Sequence, residues 1–75
     1  MRQINENDRA IGRRVQQLRL LNFYTYRRFG ELFGHTAAYW SKVEKGQARL
    51  NADDLVKLCN YFSVSSDFIL FGKER

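Results

Sequence analysis

The residues of this chain that could do chemistry are mostly cations and hydroxyls, and they point to binding rather than bond-making. Between positions 9 and 49 stand nine bases (Arg9, Arg13, Arg14, Arg19, Arg27, Arg28, Lys42, Lys45 and Arg49) against two acids, Glu31 and Glu44, a surplus of seven positive charges. The rest of the 75 residues carries four bases and six acids, so the net charge of +5 is concentrated in one stretch. A field of that kind suits a polyanion, because neutralising phosphates releases counterions and supplies most sequence-independent affinity. The means for catalysis are thin. His35 is the only histidine and has no Ser, Cys or carboxylate at a supporting spacing, and Cys59 falls between Leu55 and Phe62 at helical spacing, where it reads as core filling. One cysteine and one histidine make neither an internal disulfide nor an ordinary structural zinc site within one chain. With no catalytic pair, phosphate loop or metal set, no enzymatic activity, cofactor, metal or small-molecule ligand is expected.

These side chains need a frame, and the apolar pattern predicts five helices. Ile11, Val15 and Leu18 are spaced i, i+4, i+7 and place a first helix over about 8–21 with arginines on its other faces. Thr25 is an N-cap candidate for a second helix carrying Phe29, Leu32 and Phe33; Thr36 caps a third over 36–45 with Trp40 and Val43 inward. After the polar connection GQARLN, Asn51 begins a fourth helix, with Asp54 as an acid near its positive end and Leu55, Leu58, Cys59 and Phe62 as its stripe. A short fifth starts at Ser65 or Ser66, carries Phe68, Ile69, Leu70 and Phe71, and stops at Gly72. Composition agrees, at 44% apolar with no proline, no repeat and no strand-like alternation. A single all-α domain over 1–75 is expected, burying about 60 to 65% of its unfolded surface. No run approaches the roughly 20 apolar residues of a membrane span, and the N-terminal MRQINENDRA lacks a signal-peptide stretch, so a cytoplasmic location is expected.

The run from Tyr26 to Gly46, YRRFGELFGHTAAYWSKVEKG, joins the second and third helices by a turn of three residues. Gly30 leaves room for a close second helix and for the bulk of Trp40, and Gly34 is a natural stop in the left-handed conformation. Helix, short turn, helix is the pattern of a groove-reading module. From Ile11 to Gly72 the sequence resembles the Cro and phage-repressor type of helix-turn-helix domain, a compact five-helix lambda-repressor-like fold. The matching residues are Ile11-Gly12, Leu18-Arg19, Phe29-Gly30, Phe33-Gly34, Ser41, Glu44 and Gly46, then Val64-Ser65-Ser66-Asp67-Phe68-Ile69-Leu70 and Gly72.

The resemblance implies a small transcription regulator, usually a repressor and usually a homodimer on a near-palindromic stretch of double-stranded DNA. It implies that Arg19 pairs with Glu44 as a structural tie. It makes Ala37, Ala38, Ser41 and Lys42 the base-facing positions, with Tyr39 beside them, a set poor in bidentate donors. Candidate phosphate contacts are Thr36 at the helix N-terminus, Tyr26 where the family commonly has glutamine, Arg27 and Arg28 on the same turn, and Lys45, Gln47 and Arg49 beyond the recognition helix. Trp40 replaces a usual Ile or Val and reads as core, while Phe23, where the family often has glycine, reads either as an exposed apolar patch with Tyr24 and Tyr26 or, more simply, as part of a packed loop. Phe68 and Phe71 cannot both point inward alongside Ile69 and Leu70, so one side of that helix is expected to meet a second subunit. A phage Cro-like repressor, a restriction-modification controller and a DNA-binding antitoxin all fit. The rival reading is a protein-interaction module, antitoxin-like or repurposed, that keeps the scaffold with little base-specific binding.

Overall fold

Five short polar residues start the five helices. The computed structural model describes residues 5–73; residues 1–4, the start of the N-terminal MRQINENDRA, and residues 74–75 lie outside the description. Helices run α1 Glu6–Leu21, α2 Tyr26–Phe33, α3 Ala37–Glu44, α4 Ala52–Phe62 and α5 Ser66–Phe71. Before each one a side-chain oxygen accepts an N–H that the first turn would leave unpaired: Asn5 from Asn7, Thr25 from Arg28, Thr36 from Tyr39, Asn51 from Asp54 and Ser65 from Phe68. The first helix begins two residues earlier than its apolar stripe suggested, because Asn5 is the cap and Glu6 and Asp8 fill the first turn.

Val15 and Leu18 of α1, Phe29 and Phe33 of α2, Trp40 and Val43 of α3, Leu58 of α4, Val64, and Ile69 of α5 form one core. Its centre is aromatic. Phe29 meets Trp40 with centroids 5.1 Å apart and rings at 89°, and meets Phe33 at 4.8 Å and 74°, the edge-to-face geometry that ring quadrupoles favour. Cys59 packs against this core, and burial pushes its thiol pKa up, which suits a packing residue. No helix among the described residues is long and apolar enough to cross a membrane.

Two expectations, one about a loop and one about a helical glycine, are overturned. Phe23 does not pack: it is 93% exposed with φ 59°. The N–H of Phe23 bonds to the Leu20 carbonyl and that of Tyr24 to the Arg19 carbonyl, the paired bonds that end a helix through a left-handed residue. That geometry turns the Phe23 ring out to solvent and explains why glycine suits the position. Gly30 does not make room for Trp40. A Cβ there would lie 2.8 Å from the carbonyl oxygen of His35, so Gly30 admits the backbone of the turn instead. Trp40 is accommodated by the aromatic cluster.

Candidate nucleic-acid interface

What α3 buries determines what it can present. Trp40, Val43 and Glu44 face inward; Thr36, Ala37, Ala38 and Lys42 are exposed, and Tyr39 and Ser41 half-buried. Three anchors hold it. At its end, α1 approaches so closely at Gly12 that a Cβ would meet the carbonyls of Val43 and Glu44, the latter at 2.7 Å. In its middle, the Trp40 indole donates Nε1–H to the Gly34 carbonyl at 2.8 Å.

The third anchor is Glu44. Arg19 donates Nε to its Oε2 at 2.7 Å and Nη2 to its Oε1 at 3.1 Å, while Nη1 donates to the Tyr24 carbonyl at 2.8 Å. The Tyr26 ring lies 4.1 Å from the guanidinium carbon, a cation–π contact. The Glu44 hydrogen bond raises the Arg19 pKa further above its ordinary value, against the opposing pull of desolvation. One ion pair thus joins α1, the first turn of α2 and the last turn of α3. It also occupies the ring of Tyr26 as a support for Arg19.

The remaining phosphate candidates sit at the surface. Arg27 and Arg28 share one carboxylate, that of Glu31, at 3.7 and 3.2 Å. Arg49 reaches Asp8 at 3.5 Å, tying the segment after α3 to the start of α1. Lys45 and Gln47 are exposed in that segment. The Arg27 and Arg28 pairs are exposed on both sides and such pairs contribute little, typically about 0 to 1 kcal/mol, so these two arginines can exchange a carboxylate for a phosphate at small cost, whereas the Asp8 partner of Arg49 is buried.

The turn between α2 and α3 holds what the sequence did not disclose. Gly34 and His35 both have positive φ, 87° and 71°; the Gly34 ψ of 176° lies in a region essentially restricted to glycine, not in the ordinary left-handed well. His35 has a carboxylate after all. Its Nε2 lies 3.1 Å from Asp54 Oδ1 and 3.0 Å from Oδ2, across nineteen residues of sequence. Tyr39 donates its hydroxyl to Asp54 Oδ2 at 2.9 Å and stacks on His35 with centroids 4.0 Å apart. Burial first, and the Asp54 hydrogen bond second, push the Tyr39 phenol up to about 12. Tyr39, placed beside the base-facing set by resemblance, is therefore turned toward α4. The only sequence sign of Asp54 was its place three residues after the Asn51 cap, which reads equally as an exposed acid at a helix start.

A relative from Bacillus subtilis (strain 168), the SPbeta prophage-derived uncharacterized HTH-type transcriptional regulator YonR, is 34% identical over 62 residues, covering 83% of this chain and 57% of the relative. The chain thus spans little more than half the length of that relative. Residues 10–67 match the family described as helix-turn-helix domain. That span takes in most of α1, both helices of the motif with their turn, all of α4 and the start of α5, and by it the chain belongs to the helix-turn-helix domain family.

Proposed function

We propose that this chain is a DNA-binding transcription regulator of the Cro and phage-repressor type. It acts by occupancy: two subunits place α3 in successive major grooves of a near-palindromic operator and repress by blocking a promoter. The observation that carries this reading is the exposed first turn of α3, with Thr36, Ala37, Ala38 and Lys42 presented by a helix whose other face is locked into the core. The surplus of seven positive charges between residues 9 and 49 supports the same partner. So does the printed name of the prophage-derived relative.

In this reading Ala37 and Ala38 meet thymine methyls, Ser41 donates to several acceptors, and Lys42 reaches guanine O6 or N7. Direct readout is modest, and DNA shape supplements it. Thr36, Arg27, Arg28, Lys45, Gln47 and Arg49 meet phosphates and set the register. Tyr26 adds its hydroxyl only secondarily, since its ring supports Arg19. One observation favours the protein-interaction alternative: with Tyr39 engaged by Asp54, the first turn of α3 has few base-reading donors.

Selection from a random-sequence DNA pool at two salt concentrations separates the readings. A regulator enriches a consensus with two half-sites and loses affinity steeply with salt, by about 0.9 in log K per log salt for each phosphate neutralised. No enrichment together with salt-independent binding would overturn the proposal in favour of the interaction module.

A further inference from the structure

Three side chains from three elements meet at the turn, and the family pattern that aligned the rest of the motif does not account for them. Asp54 is 1% exposed. Its backbone N–H is already satisfied by Asn51 Oδ1 at 2.8 Å, so the carboxylate is not needed to cap its own helix. Both oxygens instead face the turn, one accepting from Tyr39 of α3 and both within reach of His35 of the turn itself. His35 holds a positive φ that a side chain disfavours, and the Asp54 contact with the Tyr39 stack gives it reason to stay there. The end and middle of α3 are held by Glu44 and Trp40; this cluster holds its beginning, the part that faces outward.

We propose that Asp54 is a positioning residue for DNA binding, fixing the pose of the first turn of α3 through Tyr39 and His35 while touching neither base nor phosphate. The inference rests on the reading of α3 as the groove-entering helix. A pre-set pose removes an ordering cost that binding would otherwise bear, so loosening the cluster weakens affinity on every sequence alike. A tyrosine that read a base would instead change which sequence is preferred.

The test uses the full chain, the operator selected from the random pool, and binding measured well below each variant's melting transition, so that unfolding does not lower affinity. Tyr39→Phe keeps the ring and removes one hydroxyl; Asp54→Asn keeps one acceptor and removes the charge. Each is expected to weaken operator binding about tenfold, the scale of a lost hydrogen bond to a charged group. The double variant should lose less than the product of the two, because both act on one contact. The selected consensus and the salt slope should stay as in the wild type, whereas Lys45→Ala, which removes a phosphate contact of the proposed function, should lower the slope by about 0.9. Emission from Trp40, the one tryptophan of the chain, should shift in both variants, because its indole is bonded within the same turn. Wild-type affinity in Tyr39→Phe would overturn the proposal, as would a changed consensus, which would make Tyr39 a base contact. If Asp54→Asn fails to fold, Tyr39→Phe decides alone. A wild-type chain without salt-dependent DNA binding overturns the regulator reading and this inference together; a binding wild type with unaltered variants overturns the inference only.

Discussion

At the scale of single residues the sharpest case is Glu44, whose side chain is 1% exposed and carries two hydrogen bonds from Arg19. Glu44→Ala leaves that buried guanidinium without its counter-ion, and is expected to cost about 3 to 5 kcal/mol, seen as a large drop in melting temperature. A variant that melts like the wild type would show that the pair contributes nothing to the fold. Phe23 predicts the opposite sign. A non-glycine residue at φ 59°, solvated on nearly all sides, bears left-handed strain with no packing in return, so Phe23→Gly should stabilise by about 1 kcal/mol in urea unfolding. Tyr39 makes a pH-dependent contribution. Its phenol is raised from 10 to about 12, so the folded chain holds that proton more tightly than the unfolded chain does. The stabilisation is complete below pH 10 and is lost as pH rises toward 12. Urea midpoints measured from pH 9 to 11.5 should therefore fall more steeply in the wild type than in Tyr39→Phe.

At the scale of elements, every helix was legible in the sequence because each carries its own start and its own apolar period. Thr25 and Thr36 announce α2 and α3 as clearly in the sequence as in the structure, and Ile11, Val15 and Leu18 announce the buried side of α1. Phe23 shows the limit: apolar identity suggested packing, but the helix-ending bonds to Leu20 and Arg19 dictated a backbone that faces the ring outward. On α2, Glu31 restrains Arg27 and Arg28 one turn away, and it places a negative charge beside the proposed phosphate contacts. Glu31→Gln is accordingly expected to tighten DNA binding about three- to tenfold at low salt, with the gain shrinking as salt screens the field. Unchanged affinity at low salt would place the first turn of α2 away from the DNA backbone.

At the scale of the whole molecule, the described chain measures 34 × 27 × 21 Å. The proposed dimer requires its two α3 helices to stand about 34 Å apart, one turn of the double helix. Ile69 fills the core and Phe68 packs partly against it, while Phe71 is 65% exposed at the end of α5. An exposed aromatic beside a buried helix face is the feature we assign to the second subunit, in keeping with the dimer of the proposed function. Sedimentation should show dimer at micromolar concentration or on adding operator DNA, and Phe71→Ser should shift it toward monomer. Monomer alone, with and without operator, would remove α5 as the interface.

The sequence by itself determined the number of the helices and, apart from the start of α1, their ends, together with the burial of Trp40 and the gathering of positive charge. Those properties depend on neighbours within one or two helical turns, where spacing is visible. The tertiary structure alone decided the carboxylate partner of His35, the orientation of Tyr39 and the exposure of Phe23. The first two depend on Asp54 arriving from α4 across nineteen residues, and the third on backbone bonds that end α1, and residue type and spacing encode neither.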